Sequence, residues 1–439
     1  MAPGAKKIGI WGFFGYGNLG DAAIQESIIQ AIKKRLPQAT IYGFSLNPID
    51  TRQRHHIDAF PIYRKHIRSV SSAKQTKSWL EKEKAPSLYR RMRNWLKTIN
   101  LVYPLLKGLR KILLGLMSIW EEIRFLVNSF WILRDLNVLV ISGGGALDEY
   151  WGGPWRHPFA LFKWAALAKI ARVKLYVLSV GASSLKSPVT QFFVKCVLAL
   201  ADFRSFRDEN SKRLVENIGF TGESHVFPDL AYNLEIDKSH RPFIKSNESR
   251  IVGINPIAYF DPRSWPEKDD IVYRNYVSKM SSFIYWLVQE QYRTLFFATD
   301  IFMDRLVVTD IKECLENMAA TKLNGQIIDP SILTVSDLLV QISSTDLIVA
   351  SRLHAILLSH VMHKPVLAIS YDKKVKTLME NMGQLEYCQD IKRFEVDSLI
   401  DVFKSLESNK KILERQIVQR MVSYRDALQD QFDRTFFKA

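Results

Sequence analysis

Residues 7–21 have the sequence KIGIWGFFGYGNLGD, and this stretch decides the fold. An apolar run typical of a buried strand leads into a glycine-rich loop, and the loop opens a helix. A second stretch of the same kind, DLIVASRLHA, occupies residues 346–355. Such loops lie at the carboxyl ends of parallel strands, where α/β proteins bind their ligands. We therefore predict two loops that face a shared cleft.

Strand and helix signals alternate along the whole chain, which is typical of parallel sheets covered on both faces. The 439 residues exceed what one hydrophobic core usually serves. We predict α/β architecture with two doubly wound Rossmann-like domains, at residues 1–235 and 251–439. A polar linker at 236–250 joins them, a basic insertion at about 64–134 interrupts the first, and a charged helix closes the second.

Cysteine usage and the N-terminal sequence bear on the compartment. Cys196, Cys314 and Cys388 are widely separated and lack metal-ligand spacing. We therefore expect no disulfides, no metal site and a reducing compartment. We find no signal-peptide pattern and no apolar run of the ~18 residues that a spanning helix needs. These observations predict a cytoplasmic protein that is at most peripheral to the inner face of a membrane.

Most of the formal net charge of +16 lies in one segment. Between Arg64 and Arg124 there are fifteen Lys or Arg residues against four Glu, interleaved with Trp and Leu at near-helical spacing. This pattern is typical of a basic amphipathic helix on an anionic membrane. A core helix with a solvated basic face fits equally well. Without a zinc-finger, RNP or helix-turn-helix signature, no nucleic acid partner is expected.

The first glycine loop matches a cofactor fingerprint only in part. Residues 15–20 have the GxGxxG spacing of dinucleotide-binding loops, but residues 45–47 lack the acidic group that holds the ribose. We therefore expect no nicotinamide or flavin cofactor. Gly17, Asn18 and Asp21 are candidates to bind a hydroxyl-rich acceptor. Helix capping is an equally good explanation of Asp21.

A second glycine loop follows the predicted strand at 137–142. Three successive glycines fit a site where the backbone passes close to a ligand, and we assign Gly144 and Gly145 to acceptor binding. Asp148 or Glu149, a few residues after them, can act as a base toward a hydroxyl. Solvated loop carboxylates are the alternative.

Cationic side chains follow three other strands. Arg207 and Arg352 can each clamp a carboxylate or phosphate, and His354 adds a group that titrates near neutral pH. Lys374 adds charge toward a phosphate. The structural alternatives are an Arg207–Asp208 ion pair that caps the next helix, and a solvated basic turn around Lys374.

Together these motifs resemble the polysaccharide pyruvyltransferase family, and the resemblance extends over most of the chain. It rests on an ordered set: Gly15 to Asp21, Gly143 to Gly145, Arg207-Asp208-x-x-Ser211, Pro228-Asp229, Ser351 to Ala355, and Tyr371-Asp372-x-Lys374. The family implies a GT-B-like fold. It also implies transfer of the enolpyruvyl carbon skeleton of phosphoenolpyruvate to saccharide hydroxyls, usually as a cyclic ketal, with release of phosphate.

The resemblance further implies that Arg207, Arg352, His354 and Lys374 handle phosphoenolpyruvate, and we include Leu353 among the donor contacts. The second domain would then hold the donor and the first domain the acceptor. His354 is our candidate acid, or a cation that holds the phosphate.

The base is left open among Asp21, Asp148 and Glu149. Phosphoenolpyruvate is a co-substrate, so no resident cofactor or metal is expected. The long basic insertion departs from the family pattern and leaves the acceptor open. A polysaccharide precursor or a lipid-linked sugar displayed at a membrane is our hypothesis.

Two alternatives remain. A GT-B glycosyltransferase that uses nucleotide-sugars would share the cleft, but we find no acidic residue near His354 to hold a ribose. A non-catalytic membrane-surface binding protein would explain the positive charge. It would leave the clustering of Arg352 with His354 unexplained.

Overall fold

The structure is a computed structural model that describes residues 6–64, 102–150, 152–237, 242, 250–318 and 325–437. Within these residues the chain forms two sheets, and every strand pair in both sheets is parallel. The prediction of two doubly wound Rossmann-like domains is confirmed.

The first sheet has the order β3-β2-β1-β4-β5-β6-β7. Its strands are β1 (Lys7–Trp11), β2 (Thr40–Ser45), β3 (Asp58–Pro61), β4 (Val138–Ser142), β5 (Lys174–Val180), β6 (Phe203–Phe206) and β7 (His225–Val226). Its helices are α1 (Leu19–Arg35), α2 (Pro48–His55), α3 (Val102–Arg134), α4 (His157–Ile170), α5 (Pro188–Leu200) and α6 (Glu209–Asn217).

The second sheet has the order β10-β9-β8-β11-β12-β13. Its strands are β8 (Ile251–Asn255), β9 (Arg293–Phe296), β10 (Ile327–Ile328), β11 (Leu347–Ala350), β12 (Val366–Ser370) and β13 (Cys388–Asp390). Its helices are α7 (Asp270–Gln289), α8 (Met303–Met318), α9 (Val335–Ser343), α10 (Leu353–Val361), α11 (Lys373–Asn381), α12 (Val396–Ser408) and α13 (Lys410–Phe432).

Strand β4 shows why the sheets are buried on both faces. All five of its side chains are buried. Val138 and Val140 belong to the core beneath α1, whereas Leu139 and Ile141 belong to a second core that includes Trp164 of α4. Because side chains alternate between the faces of a strand, a continuous apolar run fits a strand covered on both sides.

Both sheets place a predicted motif at the point where strand order reverses. In the first sheet this point lies between β1 and β4, which lead into the two glycine loops. In the second sheet it lies between β8 and β11, and β11 leads into residues 351–355. Ligands of open α/β sheets bind at the carboxyl ends of strands at such points.

The two domains are joined by backbone hydrogen bonds at the first glycine loop. The N–H of Leu19 donates to the carbonyl of Thr299 at 2.7 Å, and the N–H of Ile301 donates to the carbonyl of Gly17 at 3.0 Å. These bonds bring the carboxyl edges of both sheets together, so the motifs of the two domains meet.

Helix α13 begins against the second domain and ends on the first. Its Lys410 pairs with Asp346 at 3.0 Å, whereas Gln431 contacts Ser179 and Ser205 beneath the first sheet. The predicted closing helix is therefore present, and its last turns pack on the other domain.

Two predicted segments lie largely outside the described residues. They are the linker at 236–250 and, within the basic insertion, residues 65–101. Helix α3 is the described part of that insertion. In the part of the chain that the structure describes, no helix is long and apolar enough to cross a membrane.

Candidate active site

The start of α1 is organised by Asn18, its N-cap residue. The Asn18 side-chain oxygen accepts hydrogen bonds from the N–H groups of Gly20 at 3.0 Å and Asp21 at 3.3 Å. Gly17 has a φ of 74°. It also lies against the second domain: a Cβ placed on Gly17 would be only 2.6 Å from Ile301 Cγ1. These residues shape the loop, and acceptor binding by Gly17 and Asn18 stays a prediction.

The second domain contacts α1 at Gly20. A Cβ on Gly20 would lie 2.3 Å from Cγ of His354, so only glycine leaves room for the imidazole. Burial lowers the pKa of His354 to about 4; Arg207 and Lys374 also lower it, and Asp229 opposes them. The imidazole is therefore neutral near pH 7. Its buried Nε2 has no hydrogen-bond partner among the described residues.

Asp21 faces the second glycine loop. Its Oδ1 lies 3.5 Å from where a Cβ on Gly144 would stand. Burial raises the pKa of Asp21 to about 7, and the carboxylates of Asp229 and Asp300 contribute, against an opposing effect of Lys374. A group with a pKa near the working pH is suited to proton transfer in either direction.

Asp148 is also half-buried near these groups. It accepts hydrogen bonds from the N–H of Tyr150 at 2.6 Å and from the hydroxyl of Ser183 at 2.8 Å. Burial raises the pKa of Asp148, and both hydrogen bonds and the charge of Lys374 oppose that effect. The two hydrogen bonds thus orient the Asp148 carboxylate, which lies close enough to Lys374 for that positive charge to lower its pKa.

Glu149 serves the start of α5 instead. Its side chain accepts hydrogen bonds from the N–H groups of Lys186 at 2.6 Å and Ser187 at 2.9 Å, and from the hydroxyl of Thr190. Both of its oxygens are therefore in use. Of the three candidate bases, Glu149 is the one with an evident structural role, because its hydrogen bonds hold the start of α5.

Arg207 lies at the carboxyl end of β6 and is only 10% exposed. Its Nη1 is 3.6 Å from Asp229 Oδ2, and its Nε is 3.4 Å from Asp208 Oδ2. Asp208 also caps α6 by accepting from the N–H of Ser211 at 2.7 Å. Gly181 makes room, since a Cβ there would be 2.6 Å from Arg207 Cζ. The ion pair and the helix cap that we weighed as the structural alternative are both present.

Lys374 lies in the first turn of α11, behind the N-cap residue Asp372. Its Nζ is 5.2 Å from the ring centroid of Tyr371. Burial works against its charge, but Tyr371 and Asp372 prevail and raise the pKa of Lys374. The alternative of a solvated basic turn is wrong for Lys374, which is half-buried, and fits the exposed Lys373.

Arg352 already has a carboxylate partner. Its Nε and Nη2 lie 2.8 Å and 2.6 Å from Oδ1 of Asp304, which is fully buried, and Asp300 Oδ2 is 3.9 Å away. Asp304 Oδ2 accepts from the N–H of Thr299 at 3.1 Å. The positive charge of Arg352 is therefore largely compensated, and its predicted contact with the donor stays a prediction.

A cavity of about 270 Å³ lies between the domains. Its lining includes Arg207, Asp229 and Tyr232 of the first domain, Leu353 and Lys374 of the second, and Arg420 and Tyr424 of α13. Of the predicted donor residues, Arg207, Leu353 and Lys374 line it, whereas Arg352 and His354 are not among its lining residues. This volume is near the lower limit for drug-sized ligands and suits a smaller one.

Sequence analysis missed several residues of this cluster. Asp229 appeared only as part of a motif, and Asp300 and Asp304 were not considered, although Asp300 lies in the loop that follows β9. Gly20 and Gly181 were not singled out for close packing. The role of these residues depends on which side chains from other helices and strands contact them. The spacing of residues within one segment does not show these contacts.

Comparison with known protein families now decides the affiliation. The family model described as polysaccharide pyruvyl transferase matches residues 18–373. The chain belongs to this family. The match begins at Asn18 and ends at Lys373, so it includes the end of the first glycine loop and every later strand-end motif up to Lys373, and it leaves out Gly15 to Gly17 and Lys374.

Solved structures similar to this pyruvyl transferase family member define its fold. A putative UDP-N-acetylglucosamine 2-epimerase from Listeria monocytogenes has a TM-score of 0.58 at 9% identity, and the alignment covers 96% of this chain and 93% of that one. A UDP-GlcNAc 2-epimerase from Neisseria meningitidis has a TM-score of 0.58 at 10% identity, with 99% and 100% covered.

Sucrose-phosphate synthase from Thermosynechococcus elongatus also resembles this family member, with a TM-score of 0.51, 10% identity and coverage of 99% and 98%. These similarities establish the predicted GT-B fold. At such low identity they indicate nothing about substrates. A comparison with curated protein sequences found no match.

Proposed function

We propose that this protein transfers a pyruvyl group from phosphoenolpyruvate to two hydroxyls of a saccharide, forming a ketal and releasing phosphate. One observation supports this most: Arg207 and Lys374, from opposite domains, line one small cavity beside His354 and Asp21. The family match agrees with it. Phosphoenolpyruvate is small and carries a carboxylate and a phosphate, so it needs converging cations.

The donor is held from both sides in this proposal. Lys374 acts as a point charge on the phosphate, and Arg207 offers a planar fork for the carboxylate or the phosphate. The unpartnered Nε2 of His354 adds a hydrogen bond.

The first step is protonation of the methylene carbon. Sequence analysis left His354 open as the acid or as a cation that holds the phosphate, but an imidazole with a pKa of about 4 holds no extra proton at neutral pH. Burial raises the pKa of Asp21 to about 7, so this carboxyl can hold a proton at neutral pH and donate it. We therefore propose that Asp21 is the acid that protonates the methylene carbon, and that His354 helps to hold the donor.

The remaining steps use the first domain and the cations. Protonation leaves an oxocarbenium-like centre at C2, which a saccharide hydroxyl attacks while its proton passes to Asp148. The bond from C2 to the phosphate oxygen then breaks, and Arg207 and Lys374 stabilise the departing phosphate. A second hydroxyl attacks C2 and closes the ring, and its proton passes to the Asp21 carboxylate that the first step left, which restores the acid.

The donor assignment is tested by thermal shift with phosphoenolpyruvate and with UDP-, GDP- and CDP-sugars. Phosphoenolpyruvate should stabilise the wild type and Lys373→Met, but not Lys374→Met. The two lysines are neighbours in one helical turn, and the exposed Lys373 is therefore a matched control for total charge. Stabilisation by a nucleotide-sugar alone, or equal responses of the two variants, would overturn the proposal.

A further inference from the structure

Helix α3 carries a stretch of eight residues, 113–120, that is apolar and exposed on every side. Six of them are large apolar residues between 53% and 67% exposed: Leu113, Leu114, Leu116, Met117, Ile119 and Trp120. Consecutive helical residues point in different directions around the axis. Within the described part of the chain, Arg64 contacts the polar Ser118 of this segment, and the six large apolar side chains stay more than half exposed. Exposed apolar surface of this extent marks an interaction site.

The other end of α3 is anchored in the first domain. Ser129 and Leu133 are buried, and Phe125 makes an edge contact with Trp164 at a centroid distance of 6.3 Å. Lys163 of α4 pairs with Glu122. Residues 122–134 thus fix the helix on the sheet, and the apolar segment extends from a rigid support.

The direction of α3 places the apolar segment beyond the cleft side of the first sheet. Arg64, just past the carboxyl end of β3, pairs with Glu121 and donates to Ser118 at 2.9 Å. Position 134 lies near the start of β4, so α3 runs antiparallel to the strands. From Glu121 back to Leu113 the helix adds about 12 Å past Arg64. The acceptor side of the candidate active site lies along the same edge.

The charges around the apolar segment indicate its partner. Lys107, Arg110 and Lys111 precede it, and residues 64–124 contain fifteen Lys or Arg against four Glu. A segment of eight residues, six of them large and apolar, that contains a tryptophan and is preceded by cations matches an element that enters the headgroup layer of an anionic bilayer. It is far shorter than the ~20 residues of a spanning helix. A protein partner would not require this excess of positive charge.

We propose that residues 113–120 insert into the surface of a membrane that contains anionic lipid, and that α3 thereby turns the cleft edge of the first sheet toward that membrane. The binding itself does not depend on pyruvyl transfer. The purpose that we assign to this binding is to bring the active site to a lipid-linked saccharide at the membrane surface, and that purpose rests on the proposed function.

The experiment is flotation of the full-length protein with vesicles of phosphatidylcholine, with and without phosphatidylglycerol. The test variant is Leu116→Gln with Ile119→Gln and Trp120→Gln. The matched control is Ile170→Gln with Ile271→Gln and Ile412→Gln, three exposed apolar residues elsewhere on the surface. We expect the wild type and the control to float with phosphatidylglycerol vesicles, and the test variant to bind about tenfold or more weakly.

Equal flotation of the test variant and the wild type would overturn the proposal, as would binding that does not depend on phosphatidylglycerol. A wild-type dimer in light scattering that the test variant alone converts to monomer, without vesicle binding, would assign the apolar segment to self-association instead. The thermal shift with phosphoenolpyruvate needs no vesicles. Failure of the docking proposal and failure of the proposed function are therefore distinguishable.

Discussion

At the residue scale, Gly20 allows two domains to touch. The pattern of residues 15–20 resembles a loop that admits a ligand to the backbone, yet Gly20 admits the His354 side chain of the other domain. Gly145 is the opposite case, because a Cβ there would meet no atom within 4 Å. A side chain at Gly20 should therefore lower the stability of the folded protein, whereas a side chain at Gly145 should not.

We predict that Gly20→Ala lowers the free energy of unfolding by about 1–3 kcal/mol, because the new methyl group collides with His354. The gain in helix propensity from alanine is smaller, at about 1 kcal/mol. Gly145→Ala should change stability little. Chemical denaturation of the two variants measures this, and equal stabilities would contradict the contact.

Asp21 makes stability depend on pH in a defined direction. Its pKa is about 7 in the folded protein against about 3.9 in an unfolded chain. The folded state therefore keeps a proton that the unfolded state loses between pH 4 and 7, and wild-type stability falls as pH rises through this window. The loss amounts to a few kcal/mol at most, about 1.4 kcal/mol per pH unit.

Asp21→Asn removes this loss. Relative to the wild type, its free energy of unfolding should increase from pH 4 to pH 7 and stay constant above. Asp58→Asn, which removes an exposed carboxylate, is the control. Denaturation curves at several pH values measure the difference, and a difference that does not vary with pH would refute the raised pKa.

At the element scale, the start of α5 explains Glu149. Ser187 is the N-cap residue of α5, but its side chain makes no capping hydrogen bond. Glu149, from the second glycine loop, accepts from the N–H groups of Lys186 and Ser187 instead. A carboxylate at a helix N-terminus also interacts favourably with the helix dipole. The cap ties the glycine loop to α5 and holds its backbone in place.

We predict that Glu149→Ala costs about 1–2 kcal/mol of stability, as loss of a cap does, and leaves the turnover of the folded enzyme nearly unchanged. Asp148→Ala should instead reduce kcat by about a hundredfold or more with little effect on stability. Turnover and denaturation measured on both variants separate the roles. A large loss of kcat in Glu149→Ala would reverse our assignment.

Strands inside the two sheets were predicted, whereas most of the short strands at the sheet edges were not. The predicted strand at 137–142, for example, agrees with β4, which spans Val138–Ser142. The edge strands β3, β10 and β13 were missed. Strands of two to four residues at a sheet edge are too short to show a period, so pairing with a neighbour defines them.

At the scale of the whole molecule, α13 links the domains through a buried polar contact. Gln431 is fully buried; its Oε1 accepts from Ser205 Oγ at 2.5 Å, and its Nε2 donates to Ser179 Oγ at 3.1 Å. Helix α13 also supplies Arg420 and Tyr424 to the interdomain cavity. The position of α13 therefore affects both domain packing and the site.

We predict that Gln431→Ala lowers the free energy of unfolding by about 1–3 kcal/mol, because two buried serine hydroxyls lose their partner. Gln419→Ala, an exposed position on the same helix, is the control and should have no measurable effect. Chemical denaturation provides the measurement. Equal stabilities would mean that water replaces the Gln431 side chain without cost.

The sequence by itself determined the two-domain α/β fold, because strand and helix periods are local properties of a segment. It also placed Arg207, His354 and Lys374 at strand ends, where parallel sheets bind ligands. Only the tertiary structure decided how these groups are charged and paired. The pKa values of Asp21 and His354, the Asp304 partner of Arg352 and the capping role of Glu149 depend on burial and on charges from distant segments, since electrostatic effects act through space and not along the chain.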